Sequence, residues 1–484
     1  MQARVKTRCT STFPGGCKPP ILVQIPAKGP RGALVCCVMK TPLSHLAAVA
    51  FFPLAAGFAQ NADDGLKPIF NGKDLSGWVP VNVASDTYTV RDGMIVINGS
   101  PTGYMRTEKM YENFVFECDW RHMKSGGNSG IFVWGDGIPA MGTGYTRGIE
   151  VQVLDEGFNP KGKNEWYTCQ GDIFPIHGAT MTPWGRIATG GKGNRSFPME
   201  DRTKPSPEWN HYRIEGNRGE IHLSVNGKDV TVAKDCVPRK GFLALESEGA
   251  EIHFKNIRMK ELPPTGATPE QTANPYEGFH AMFDGKSLAG WKTPDDVKPW
   301  WEAKGSHFQS KESKDGHGKE LWSEKEYGDF ELIVDCRLAN KPVKKPLQII
   351  LPDGTDAKNE DGTPKKVEAL DGGDSGIFLR GSTKAQVNIT CKTIGSGEIY
   401  GYRTDKDTPA AQRAAYVPST KADNAPGKWN RFHITLKGER LTVKLNDKVV
   451  IADAPLPGLP AKGPIGLQHH GDSVEFANLF VREL

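Results

Sequence analysis

Long apolar stretches are scarce in this 484-residue sequence. One run, Leu43 to Phe58, comes near membrane-span length, and it is short for a span. No segment keeps a 3.6-residue apolar period, which excludes long amphipathic helices and coiled coils. A glycine-rich phosphate loop is missing, and the nine cysteines show no metal-type spacing. Acid is missing from residues 1–59, which hold seven cations: Arg4, Lys6, Arg8, Lys18, Lys28, Arg31 and Lys40. The formal charge of +4 therefore misleads, because the remainder carries 54 basic against 57 acidic residues. A near-neutral body without a basic, aromatic-interleaved cluster argues against a nucleic-acid partner.

What is present begins with a targeting pattern. Met39-Lys40 precedes the apolar run, which ends in small residues, Gly57 and Ala59, suited to a cut before Gln60. This predicts a secretory signal peptide over 39–59 and a secreted or periplasmic mature chain with no membrane span. Residues 1–38 read as an upstream extension from a start codon placed too early. Cys118, Cys169, Cys236, Cys336 and Cys391 lie beyond the cut, allowing at most two disulfides. Buried free thiols are an equal reading.

The body is internally repeated. FNGKDLSGW (Phe70–Trp78) returns as FDGKSLAGW (Phe283–Trp291), and GNSGIFV (Gly127–Val133) as GDSGIFL (Gly373–Leu379). EWNHYRI matches KWNRFHI, and the ends HFKNIRMKEL and EFANLFVREL also match in order. The sequence thus predicts two copies of one domain, 60–262 and 276–484, joined by an exposed Pro- and Thr-containing linker over 263–275. An insertion near 340–372 in the second copy reads as a surface loop. Short alternating runs separated by Gly, Asn and Pro turns predict an all-β chain of two tandem sandwiches. Copies of roughly 200 residues suit a jelly roll better than an immunoglobulin domain.

On the FNGKDLSGW opening, GNSGIF, GIEVQVLD, EWN, VNGK and FKNIRMKEL, each copy resembles the 3-keto-disaccharide hydrolase domain. LWSEKEYGDFEL, GSGEIYGYRTD and GPIGLQHHG extend the resemblance in the second copy. The resemblance implies a concanavalin A-like jelly roll, secretion, and action on glycosides whose C3 hydroxyl has been oxidised to a ketone. Such a ketone acidifies the C2 proton and places the C1 oxygen β to the carbonyl. Cleavage can then run by proton abstraction, elimination and hydration, or by direct hydrolysis. The elimination route needs a base, an enolate stabiliser and a proton donor.

Candidate groups follow from strand alternation. In GIEVQVLD, Glu150 and Gln152 share one face while Ile149, Val151 and Val153 share the other. Glu150 is the candidate base or metal ligand and Gln152 its orienting donor. Asp155 becomes a second carboxylate if a bulge returns it to that face. His177 is a candidate acid, base or ligand in the following loop. Glu246 and Glu248, in LESEG, alternate on a strand near the end of the copy, where either lines the same concave face or the strand is simply solvated. Trp134, Trp166 and Trp184 lack counterparts in the second copy and are candidate sugar platforms. Trp78, Trp291, Trp209 and Trp429 recur and read as core anchors. Ser129 and Ser375 read as turn residues whose glycine neighbours accept positive φ.

In the second copy Gln386 and Asn388 stand where Glu150 and Gln152 stand in the first. With Arg403 and His470 they suggest binding rather than cleavage, the alternative being the same chemistry run with different residues. A divalent cation held by carboxylate, amide and His groups is left open. Two functions remain at this level: an exported enzyme cleaving 3-keto-glycosides, or a non-catalytic, lectin-like carbohydrate-binding protein. In either case the partner is an oligosaccharide or glycoside.

Overall fold

Alternating segments too short for a two-layer helical fold pair edge to edge into antiparallel sheets, which bury one face each by stacking. The computed structural model describes residues 64–159, 165–168, 170–189 and 193–484. The upstream extension, the signal peptide, its cut before Gln60 and Cys169 lie outside those residues. In the first copy an eight-stranded front sheet runs Arg186–Ile187, Ser196–Phe197, Ile173–Ile176, Gly148–Gln152, Gly130–Gly135, Phe242–Ser247, Gly103–Thr107, Trp78–Val81. A nine-stranded back sheet packs behind it, centred on Asn210–Asn217, Phe114–His122 and Ile252–Glu261. The layers enclose Ile149, Val151, Ile131, Val133, Leu243 and Leu245 with back-sheet aromatics such as Phe116 and Tyr212.

The second copy repeats this plan with a five-stranded front sheet and an eight-stranded back sheet. Each copy is an antiparallel β-sandwich of a front and a back sheet. Register fixes their equivalence: Phe132 pairs with Glu150 and Gly130 with Gln152, as Phe378 pairs with Gln386 and Gly376 with Asn388. Asn226 and Gly227 both take positive φ in a two-residue hairpin turn, the geometry that matches strand twist. The insertion is more ordered than a plain surface loop. Val343–Gln348 and Lys366–Asp371 pair as a two-stranded ribbon.

Between the copies, residues 263–275 are largely exposed but tied to the first sandwich. Glu112 Oε1 accepts the Thr265 amide at 2.8 Å, and Arg239 Nε donates to Gln271 Oε1 at 2.9 Å. Both sandwiches belong to one compact unit. Ile333 and Phe480, on the outer face of the second back sheet, bury against Val81, Tyr104, Phe132 and Ala244 on the outer face of the first front sheet.

Trp78 and Trp291 are core anchors, each donating its indole N–H to a backbone carbonyl. Trp209 and Trp429 are not. Both are half-buried and carry cations on their rings, Lys255 at 4.0 Å over Trp209 and Arg337 at 4.8 Å over Trp429. Cys118, Cys236, Cys336 and Cys391 are buried free thiols. Among the described residues no helix is long and apolar enough to cross a membrane.

Candidate active site

The outer face of the first front sheet carries its acids on two strands separated by one. Glu150 and Gln152 rise from Gly148–Gln152, Glu246 from Phe242–Ser247, and the Gly130–Gly135 strand runs between them. A Cβ on Gly130 would lie 2.8 Å from Glu150 Oε1 and 3.0 Å from Glu246 Oε2. The two carboxyl groups therefore lean over one residue, and only glycine leaves them the room. This corrects the reading of the GNSG glycines as a positive-φ turn: Gly130 is required for close approach, not for its backbone conformation. Ser129 is structural, its hydroxyl donating to the Glu246 carbonyl at 2.9 Å.

Glu248 completes the cluster. Its Oε1 accepts the Tyr145 hydroxyl at 2.9 Å and its Oε2 accepts the Asn128 amide at 2.5 Å. Asn128 Oδ1 in turn accepts from Gln152 Nε2 at 3.0 Å, which links Gln152 to Glu248 through Asn128. His177 stacks on Tyr145 with ring planes 9° apart, and burial lowers its pKa, keeping the imidazole neutral. It therefore borders the cluster through Tyr145.

Burial and mutual repulsion dominate the protonation of the cluster. Burial raises Glu150 to about 8, with Arg195 pulling it down and Glu248 and Asp172 pushing it up. Glu246 is 1% exposed, and burial followed by Glu150 drives it well above the usual carboxylate range. Its Oε2 is buried and meets no donor. One proton on Glu246 turns that orphan acceptor into a donor toward Glu248. The cluster thus holds a proton-bearing acid beside a carboxyl group that ionises more readily.

A buried ion pair closes the far side. Arg195 Nη1 lies 3.1 Å from Asp172 Oδ2, and its guanidinium sits 3.4 Å from the ring centroid of Phe174, the strand partner of Glu150. Burial moves both charged groups toward neutrality. Trp166 lies against the same guanidinium at 5.2 Å, so it flanks this side of the face.

Other expected residues fall elsewhere. No bulge returns Asp155 to the glutamate face. Its carboxylate accepts the amides of Gly126, Gly157 and Ser206 at 2.8, 2.9 and 3.0 Å, holding three loop segments together. Trp184 is on the back sheet, 56% exposed, with Lys234 Nζ 4.2 Å above its ring. Trp134 is fully buried in the core. Tyr145, Asn128 and Arg195 were not singled out in sequence. Asn128 alone had a signal there, inside the repeated GNSG.

The second copy keeps the scaffold and replaces the three glutamates. Register places Gln386 at Glu150, Asn388 at Gln152, Gln468 at Glu246 and His470 at Glu248. Gln386 Nε2 donates to Gln468 Oε1 at 2.8 Å, and Asn388 Nδ2 donates to Glu398 Oε2 at 3.1 Å. The ion pair persists as Glu398 with the buried Arg403, which also reaches Asp356 of the insertion at 3.2 Å. His470 is exposed, its ring centroid 4.8 Å from that of His317. Among the described residues no group of three or more His, Cys, Asp or Glu side chains is arranged to hold a metal ion.

The raised carboxyl groups set an expected pH dependence of stability. A carboxyl whose folded pKa exceeds its unfolded value favours folding at low pH, and that contribution is lost as pH rises toward the folded pKa. For Glu150 this window runs from about 4.5 to about 8. Glu150→Gln and Glu246→Gln should therefore melt above wild type at pH 8, with the gap closing by pH 4.5. Thermal denaturation across that range checks it; equal melting temperatures at pH 8 would contradict the buried cluster.

Fold and site together define a tandem β-sandwich protein whose first copy clusters Glu150, Glu246 and Glu248 on the outer face of its front sheet. The chain belongs to the 3-keto-alpha-glucoside-1,2-lyase-like domain family, which matches residues 65–260 and again 278–482. It is 24% identical over 252 residues to a 3-keto-disaccharide hydrolase of Bacteroides thetaiotaomicron, covering 41% of this chain and 79% of that protein. Among solved structures it is similar to a candidate glycosyl hydrolase of Parabacteroides distasonis, at 22% identity and TM-score 0.32, over 41% of this chain and 94% of that one. The carbohydrate-binding module CBM66 of Bacillus subtilis is also similar, at 15% identity and TM-score 0.28, over 39% and 98%.

Proposed function

We propose that the protein is an exported enzyme that cleaves 3-keto-glycosides or 3-keto-disaccharides on the glutamate face of its first copy. The pairing of Glu150 and Glu246 across Gly130 carries this reading. The family and the name of the Bacteroides relative support the substrate class.

In this mechanism Glu150, in its ionised fraction, takes the C2 proton of the bound 3-keto sugar. The C2–H electron pair passes into an enolate across C2, C3 and the ketone oxygen, and Arg195 favours the developing negative charge. The enolate expels the aglycone oxygen from C1, and Glu246 gives that oxygen its proton. Water then adds to C1 of the resulting enone and a proton returns to C2, so the net reaction is hydrolysis. A base ionising near neutrality suits this step, because it is strong enough to act and still present in the working form. Trp166 borders the sugar on the Arg195 side.

The second copy is proposed to hold sugar without cleaving it. Amides at Gln386, Asn388 and Gln468 offer donors and acceptors and put no carboxylate where Glu150 and Glu246 stand, with Arg403 and His470 beside them. Export rests on the 39–59 pattern, and N-terminal sequencing of the exported protein should begin near Gln60.

The direct test is incubation with a 3-keto-glucoside and, separately, its unoxidised parent. Aglycone release from the keto sugar alone is expected. Equal release from both, or from neither, would overturn the proposal.

A further inference from the structure

Residues 136–147 connect the two strands that carry Gly130 and Glu150, and they include Tyr145, whose hydroxyl holds Glu248. The apex of this loop is bound by side chains of the other copy. Asp335 Oδ2, on the second back sheet, accepts the Gly142 amide at 2.8 Å. Arg431 Nη2 donates to the Pro139 carbonyl at 2.8 Å, and Asn478 Nδ2 donates to the carbonyls of Ala140 and Thr143 at 3.0 and 3.1 Å.

These three side chains are also bound to each other. Arg431 and Asn478 both donate to Asp335, at 2.6 Å from Arg431 Nε and 2.7 Å from Asn478 Nδ2. Asn82 of the first copy donates to Asn478 Oδ1 at 2.6 Å. Asp335 and Asn478 are fully buried. A Cβ on Gly142, whose φ is +70°, would lie 2.3 Å from the Trp429 ring, so the loop apex is seated on that indole. A loop with four backbone groups taken by one buried polar knot has little freedom left.

We infer that the second copy is a positioning partner for the first copy's acid cluster, with Asp335, Arg431 and Asn478 acting through the 136–147 loop to place the Tyr145 hydroxyl on Glu248. The inference rests on the proposed activity of the glutamate face. It assigns the duplication a role that sugar binding by the second copy does not supply. None of the three residues touches Glu150, Glu246 or Glu248 through a hydrogen bond, so their influence passes through Tyr145.

The test uses full-length protein. Asp335→Asn keeps the shape and weakens the acceptor of the Gly142 amide. Hydrogen–deuterium exchange at Gly142 and Tyr145 should quicken by about tenfold or more, since a protecting hydrogen bond is lost. On a 3-keto-glucoside kcat should fall about tenfold with KM nearly unchanged, and the alkaline limb of the pH profile should shift. In a Tyr145→Phe background the same substitution should add no further loss, because residues acting through one group are not additive. If Asp335→Asn lowers the folded yield, Gly142→Ala lifts the loop from Trp429 and carries the same comparison. Unchanged exchange at Gly142 would overturn the inference whether or not the enzyme is active. So would a kcat loss that adds in full to that of Tyr145→Phe. Wild-type protein that releases no aglycone, with loop exchange behaving as expected, would count against the proposed activity and leave the clamp supported.

Discussion

Glu150→Gln should lower kcat on a 3-keto-glucoside by about 10²–10⁴-fold, the usual loss for a positioned general base. The substitution keeps side-chain size and hydrogen-bonding capacity and removes only the ability to take a proton. Folding should survive, because the residue faces outward from the core and its carboxyl is already held toward the protonated form by burial. Melting at pH 8 above wild type, together with lost turnover, would be the combined signature. The second copy is expected not to rescue activity, since Gln386 occupies the equivalent register. Near-normal turnover by Glu150→Gln would move the chemistry to another face.

The second large effect concerns Glu246. Glu246→Gln should slow release of a sugar alcohol by about 10²–10³-fold, while a nitrophenol aglycone leaves at close to the wild-type rate. The reason is chemical. A poor leaving oxygen must receive a proton as C1–O breaks, whereas a nitrophenolate leaves as an anion. Comparing kcat across aglycones of graded acidity measures this directly. An equal loss with every aglycone would make Glu246 a part of the base rather than the proton donor.

Strand alternation made much of this legible. Glu150 and Gln152 on one side of GIEVQVLD, with Ile149 and Val151 opposite, follow from the pleat alone, and Glu246 follows likewise. The repeat placed Gln386 opposite Glu150 before any register was known. Groups delivered by loops were out of reach. Tyr145 and Arg195 meet the acids through tertiary folding, which leaves no period in the chain, while Asn128, Glu248's partner, left only the repeated GNSG.

Three misreadings have local causes. Trp134 continues the outward series Gly130, Phe132, but its φ of 57° rotates the side chain into the core, where its indole N–H donates to the Glu112 carbonyl at 2.9 Å. Asp155 looked like a second catalytic acid because it follows the strand closely. Three backbone amides converge on it instead, as they do on a residue capping a short helical turn. The recurring Trp209 and Trp429 looked like core because they repeat; repetition also preserves cation stacking outside the core.

Cleavage through C2 is the central claim, and one measurement addresses it most directly. The reaction of a 3-keto-disaccharide should be run in deuterium oxide to partial conversion, with both the recovered substrate and the released 3-keto sugar examined by proton NMR. Abstraction, elimination and hydration place solvent deuterium at C2 of the product, in excess of any exchange in recovered substrate or in product incubated without enzyme. Wild-type protein should give a C2-deuterated product, and Glu150→Gln should give neither cleavage nor exchange. Rapid release of a product that keeps its original hydrogen at C2 would contradict the account and assign these carboxyl groups to direct displacement at C1.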